Sequence, residues 1–572
     1  MHLEQLIAFV VAAVMIVGLV TQFAGHLGVA APLVLVLAGI GVGLVPGVPH
    51  VELEPEVILV VVLPPLLYAA ALQVPFVDFR RNVRVIAFLS VVLVAVSALA
   101  VGLTVHALWP TVGLALAIGL GAVVAPPDAV AAISLGKRLG LPPRIVTILE
   151  GEGLVNDATA LVLLSTAVAA ATTAQAVSVG SVATTFLWAI VGAVVAGWLV
   201  GRLAVWVRSA VADLVLDTAV SLVVPFVAFL LGEAVRASGV VAVVTAGIVV
   251  GNKGVSRIRA EYRRSERSTW ATFTMLVENG VFLLMGFLLP DAVRAVAAEG
   301  YLTSAVGMGV LVTAVLIALR FAVMPVLLWS MRQQARSRER RQGVEERRMG
   351  RADERFGAIE DERIQSRLAR FRLRVTRSQH DVTAMRDQEL GWREGAVLGL
   401  AGMRGVVTIA AAQTLPEHPL RPALLLVAFV VAIVTLLAQG FALPGVVRAL
   451  HLTADRDQAE RQQLGQLMGR LHEAGRAAAE AASGEGSGVD PRVRAALLQQ
   501  LDERSQRAAQ LAAGARDEEL VADWRTVHDA QAEAERAALR EVRASGEFSS
   551  EAIAWAQQLL DDTEIRLDAR AR

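Results

Sequence analysis

The chain has 572 residues, 55% of them hydrophobic and 19% charged, with 53 basic residues balancing 53 acidic ones and a mean hydropathy of +0.57. Charges that cluster within so apolar a chain exclude a soluble enzyme and leave a polytopic membrane protein. A net charge of zero gives no field for nucleic acid, and the lack of cysteine removes disulfides, thiolate metal sites and cysteine nucleophiles.

At the N-terminus, Met1, His2, Leu3 and Glu4 lack the basic stretch of a cleavable signal, so Leu6 to Val20 reads as a retained first helix. A hydrocarbon span needs about 20 apolar residues, and by that measure residues 3 to 449 divide into about thirteen helices. They fall near 3–24, 29–46, 54–73, 84–107, 111–135, 144–172, 179–205, 214–235, 239–251, 269–289, 301–331, 395–415 and 420–447, the ninth being a short, partial span. Loops facing the cytoplasm collect Lys and Arg. Alternate loops do so: Arg80, Arg81 and Arg84; Lys137, Arg138 and Arg144; Arg202 and Arg208; Lys253 to Arg267; and a block opening with Arg332 and Arg336. This pattern expects the N-terminus outside and the C-terminus in the cytoplasm, and the expected location is the plasma membrane.

Two charge-rich pieces interrupt the apolar pattern. Residues 332–394 read as a cytoplasmic helical insertion, with Leu368, Phe371 and Leu373 at helical spacing. Residues 451–572 read as a tail of amphipathic helices broken by a flexible linker at Ser483 to Pro491. Solvated helical surface is the first reading of both, with regulation or self-association as the alternative.

The segment Glu150-Gly151-Glu152-Gly153-Leu154-Val155-Asn156-Asp157 puts three carboxylates and an amide inside an apolar span. Each ionised carboxylate near the bilayer midplane costs at least roughly 3 kcal/mol, so such groups face a bundle interior or a watery cavity and handle ions. On a helix Glu152 and Asn156 share a face, and Asp157 is turned about 100° toward the next one. Gly151 and Gly153 leave the backbone open to a second helix or an ion.

Two further spans carry interruptions. Ala125-Pro126-Pro127-Asp128 follows the run Val112 to Val124, and prolines break the helical hydrogen-bond ladder, freeing carbonyls and setting Asp128 at the start of a second half-helix. Gly402-Met403-Arg404-Gly405 lies inside Ala396 to Ala412. Arg404 would neutralise the carbonyl end of a half-helix there or repel cations from a wrong route. Interrupted helices in both halves of a transporter point to a midplane substrate site, although an inverted repeat leaves only weak traces in the residues themselves. Glu278, inside the apolar run Met275 to Gly280, is either a hydrogen-bonded neutral acid or a proton or lipid contact at a dimer interface.

Four motifs occur in order: LPPLLYAAAL at Leu63 to Leu72, GEGLVND at Gly151 to Asp157, SGVVAVVTAGIVVGN at Ser238 to Asn252 and GMRGVVTIAAA at Gly402 to Ala412. Together they resemble the monovalent cation:proton antiporters of the NhaP and NHE type, over about residues 3 to 449. The resemblance implies an all-α fold with inverted repeats and two crossed broken helices, in a transmembrane domain of residues 1–450 made of core and dimerisation helices. It also implies a homodimer working by elevator-like alternating access. By motif, Asp157 is similar to the carboxylate that binds cation or proton, Asn156 to its amide partner and Asp128 to the aspartate of the first broken helix. Glu152 is similar to the acid that pairs with the arginine of the eleventh span, here Arg320. Gly153 stands where relatives carry a serine that contacts the ion, and Pro127 where they carry a threonine, so cation preference is open.

The residues support exchange independently of the resemblance. A cation or a proton can each neutralise one buried carboxylate, and they compete for it. Oxygen ligands suit a hard alkali cation, and neither His nor Cys accompanies the motif for zinc or copper. The expected function is exchange of Na+, with Li+ or K+ as further substrates, for H+, with no cofactor and membrane lipid as surroundings. One cation per proton follows if only Asp157 changes protonation. A K+/H+ antiporter, a cation channel and an intramembrane aspartyl hydrolase are the alternatives.

Overall fold

The computed structural model describes residues 3–24, 31–46, 57–127, 141–172, 179–356, 361–387, 390–402 and 407–450, together with positions 467, 469, 471, 473–481, 495, 499 and 502. These residues form helices and turns and no strand. In order the helices are α1 (Leu3–Ala24), α2 (Ala31–Gly43), α3 (Leu63–Gln73), α4 (Phe76–Ala87), α5 (Val94–Leu108) and α6 (Leu114–Val124). They continue with α7 (Pro143–Thr172), α8 (Val179–Ala210), α9 (Leu214–Ala234), α10 (Gly239–Gly254), α11 (Ala260–Ala298) and α12 (Leu302–Phe356). The last are α13 (Glu362–Asp387), α14 (Trp392–Leu400), α15 (Val407–Gln413) and α16 (Arg421–Ala449). Among the described residues, seven helices are long and apolar enough to cross a membrane, and five shorter apolar helices accompany them. Exposed Ile7, Val11, Met15, Leu199, Leu203 and Leu230 give these helices the apolar exterior that lipid requires.

Local chemistry explains several boundaries. Pro64 and Pro65 sit where a π-helical turn, Val57–Val62, passes into α3, and their missing N–H groups interrupt the hydrogen-bond ladder at that change of pitch. Asp213 caps α9 by accepting from the Leu216 N–H at 2.8 Å, and Ser238 caps α10 by accepting from Val241. Glu233 receives the Gly239 N–H at 3.0 Å, so this acid serves the start of α10.

Boundaries differ from the hydropathy reading in several places, α11 for one running Ala260–Ala298 where 269–289 was expected, because its polar ends are helical too. The fourth helical rod begins at Phe76 instead of residue 84, because Arg80, Arg81 and Arg84 lie on an amphipathic first segment that runs through a π-helical turn, Phe88–Leu93, into α5. The eleventh span ends at Gln333, close to the expected 331, but its helix does not end there: α12 continues unbroken to Phe356, through residues rich in the good helix formers Arg, Gln, Glu and Ala. α13 packs against α12, and its Leu368 and Val375 are buried. Residues Ala454–Arg572 form a separate compact unit, helical over 473–481, where Arg476 pairs with Glu480 and Asp502.

The membrane unit has two main apolar cores. One gathers α1, α2, α4 to α7, α11, α12 and α14 to α16; the other gathers α3 and α8 to α11. α7 serves both: Ile148, Leu149, Ala160 and Leu164 belong to the first, and Leu154 and Ala158 to the second. The polar stretch therefore sits on the helix where the two cores meet.

Candidate ion site

Helix α7 sorts its polar residues by face. Glu152, Asn156 and Thr159, spaced by four and three, are buried at 1%, 0% and 3% exposure, whereas Gly153 and Asp157 lie on the adjoining, half-buried face. The helix therefore presents one fully buried polar stripe and one that is partly exposed. Gly151 permits the close approach of α4: a Cβ there would overlap the Ile86 side chain. The π-helical turn after α4 aims Ser90 at α7, where its hydroxyl donates to the Glu152 carbonyl at 3.2 Å.

Glu152 and Arg320 form a buried two-pronged pair, with Nη1 donating to Oε1 at 2.7 Å and Nη2 to Oε2 at 2.9 Å. The third guanidinium nitrogen, Nε, donates to the Leu398 carbonyl at 3.1 Å. One side chain of α12 thus binds α7 and the last turn of α14 together. α14 ends at Leu400, so Ala401 and Gly402 already lie outside it, and α15 begins at Val407; Met403 to Val406 lie outside the described residues. A Cβ on Gly402 would lie 2.8 Å from Arg320 Nε, so glycine makes space for the guanidinium. Arg404 lies outside the described residues.

The first interruption follows α6. Ala125 N–H still reaches the Gly121 carbonyl at 2.9 Å, but Pro126 and Pro127 have no N–H to offer Ala122 and Val123. The Pro127 carbonyl accepts from Asn156 Nδ2 at 2.6 Å. Since a carbonyl only accepts, this bond fixes the amide, and Asn156 Oδ1 faces the other way. That oxygen is buried and has no partner among the described residues. Asp128, next along the chain, lies outside the described residues.

The structure thus joins Asn156 to Pro127 and Glu152 to Arg320, sets Asp157 and Gly153 on the adjoining face of the same helix, and places Glu278 half-buried in α11. Sequence reasoning missed Ser90, Thr159 and the Leu398 carbonyl. Thr159, three residues after Asn156, was within reach of a face count; the other two depend on a π-helical turn and on a backbone atom.

The profile described as "Sodium/hydrogen exchanger, transmembrane" matches residues 10–449. The chain belongs to the sodium/hydrogen exchanger family. Members of this exchanger family are transporters, not enzymes. The chain is 32% identical over 441 residues to an uncharacterised Na+/H+ exchanger of Mycobacterium tuberculosis, covering 76% of this chain and 72% of that one. It is 26% identical over 441 residues to a Na+/H+ antiporter of Aphanothece halophytica, covering 77% and 72%. It is also 30% identical over 299 residues to a sodium, potassium, lithium and rubidium/H+ antiporter of Bacillus subtilis, covering 51% and 44%. The exchanger fold is seen in the sodium proton antiporter MjNhaP1 of Methanocaldococcus jannaschii, which superposes with a TM-score of 0.56 at 14% identity over 79% of this chain and all of that one.

Proposed function

We propose that this exchanger moves Na+, and with it Li+ or K+, against H+ at a site built from Asp157, Asn156 Oδ1 and Asp128, with Gly153 and Pro127 shaping the space around it. The observation that carries the reading is Asn156. Its side chain is wholly buried on an apolar helix, its nitrogen is committed to Pro127, and its oxygen is an acceptor with no partner among the described residues. An unsatisfied buried acceptor costs about 1–3 kcal/mol, which a cation or water beside it removes.

Its place next to Asn156, on the partly exposed face of α7, supports Asp157 as the competing carboxylate. Glu152 is neutralised by Arg320 in a two-pronged pair, so its charge is not available to an ion. Asp157 is half-buried on the adjoining face, and a proton or an alkali cation there neutralises it in turn. Asp128, following Pro127 directly in the chain, contributes a second carboxylate. Where only Asp157 changes protonation, one cation exchanges for one proton. The meeting of two cores at α7 suits a helix group that slides, and the motifs suit a homodimer with an elevator-like movement. The basic residues of alternate loops suit a C-terminus in the cytoplasm, and we place the exchanger in the plasma membrane with a role in pH homeostasis.

The test is proton flux in proteoliposomes driven in turn by Na+, K+ and Li+ gradients. Counterflow of H+ with at least one of these cations supports the reading, and cation currents without proton coupling would show a channel instead. K+ as main substrate is the second reading, favoured by the relative from Bacillus subtilis, whose name includes potassium.

A further inference from the structure

The rod formed by α4, the π-helical turn Phe88–Leu93 and α5 touches both helices of the candidate ion site, and its tight contacts pass from one to the other at that turn. Up to the turn they are with α7. Asn82 Oδ1 accepts from Arg144 Nε at 3.0 Å, Ile86 packs where Gly151 has no side chain, and Ser90 Oγ donates to the Glu152 carbonyl at 3.2 Å. Beyond the turn they are with α6: a Cβ on Gly121 would collide with the Ala98 carbonyl, and the missing Cβ of Gly102 leaves room for Ile118. α6 and α7 are themselves joined by the bond from Asn156 to Pro127. The rod therefore braces, from helix to helix, the junction that carries the candidate site.

Asn82, Ile86 and Ser90 are spaced by four. Residues four apart drift by about 40° round an α-helix, and the more loosely wound π-helical turn takes back part of that drift, so Ser90 still meets α7. Serine and threonine inside helices commonly return their hydroxyl to their own backbone, as Thr104 further along the rod does to the Ala100 carbonyl at 2.8 Å. Ser90, wholly buried, sends its hydroxyl across to α7 instead. The acceptor is the carbonyl to which helical geometry also brings the Asn156 N–H, four residues on. A carbonyl has two lone pairs and holds both donors. The turn from Glu152 to Asn156 is thus fixed at three points: the carbonyl by Ser90, the Glu152 carboxylate by Arg320 and the Asn156 amide by Pro127. Of these three, the Ser90 bond is the one whose loss strands no group, since the carbonyl keeps its helical donor.

We propose that Ser90 is a positioning residue for the ion site: it holds the Asn156–Asp157 turn of α7 at the distance from the α6 break at which Asn156 Oδ1 and Asp157 receive the cation, and the π-helical turn is the element that aims it. Ser90 touches no ion and acts through the Glu152 peptide. Without its hydroxyl the turn is held at two points, and the oxygens that meet the cation are no longer set in place before it arrives. Part of the binding energy then goes into ordering them, and affinity falls. The effect on affinity rests on the antiport reading, whereas the hold on α7 does not.

Ser90→Ala in the full-length protein tests both parts. In proteoliposomes, initial rates of proton flux driven by Na+, K+ or Li+ should show an apparent KM for the carried cation raised by roughly two- to tenfold, the range that one neutral hydrogen bond spans. The maximal rate and the unfolding temperature should stay close to those of the unsubstituted protein. An unchanged KM overturns the link to the ion site, and so does a fall in maximal rate alone. Hydrogen–deuterium exchange reads the hold itself: peptides covering residues 150–160 should exchange faster in Ser90→Ala, while those of α9, which packs in the other apolar core, should not. Equal protection of residues 150–160 in the two proteins overturns the positioning role. Absence of exchange with all three cations in the unsubstituted protein would overturn the antiport reading alone, leaving the hydrogen-exchange result to decide whether Ser90 holds α7.

Discussion

Asn156 donates its side-chain amide to the Pro127 carbonyl across 2.6 Å, tying the middle of α7 to the point where α6 breaks. The bond settles which end of the amide is committed to Pro127 and which is left as an acceptor, and it gives one proline-freed carbonyl a donor. Asn156→Ala removes both functions. The expected result is a loss of about 1–3 kcal/mol of stability from the stranded carbonyl, read as a lower unfolding temperature in detergent, together with a raised KM for the cation. A variant with unchanged stability and unchanged KM would leave the amide without a role.

Glu152 and Arg320 neutralise each other in a buried pair, so breaking it from one side strands a charge. Glu152→Gln and Arg320→Met alone should each cost about 3–5 kcal/mol, whereas the double variant should recover most of that. Thermal unfolding of the four proteins gives the comparison, and cation affinity should move little in those that assemble. Normal stability in the single variants, with a shifted affinity, would make the pair part of the ion site.

Gly402 makes room for the Arg320 guanidinium. A methyl group at Gly402→Ala should push Arg320 away from Glu152 and the Leu398 carbonyl, at a cost of about 1–3 kcal/mol. In the Glu152→Gln/Arg320→Met background the same change should cost much less, because the side chain it displaces is no longer held. Equal costs in both backgrounds would show that the collision is with something else.

Competition for one carboxylate has a sign. As pH falls, protons occupy Asp157 and the cation is displaced, so the apparent KM for the cation should rise, approaching about tenfold per pH unit on the acid limb. Initial rates at several cation concentrations and pH values give the measurement. A KM independent of pH, with only the maximal rate changing, would mean that proton and cation bind different groups.

Most of the helices were legible as apolar runs, and the polar stripe of α7 was legible because a carboxylate inside such a run is costly unless it faces a partner, a cavity or an ion. The break after α6 was visible in Pro126 and Pro127, whose chemistry is local. What escaped depends on tertiary partners. Arg208 reads as one more basic residue in a cytoplasmic loop, yet it is wholly buried against Asp217 and Glu266, because its acids lie on two other helices. Ser90 gave no signal, since only the π-helical turn rotates it onto the Glu152 carbonyl. The length of α12 was missed for the opposite reason: the change from apolar to charged residues ends a membrane span but does not end a helix.

The most direct test of the account is Asp157→Asn, which keeps the size and polarity of the side chain and removes its charge. With the variant folded and inserted to the same extent as the unsubstituted protein, cation-driven proton flux in proteoliposomes should fall to the level of empty vesicles. Retained exchange at a comparable rate would contradict the assignment of Asp157 as the group for which cation and proton compete.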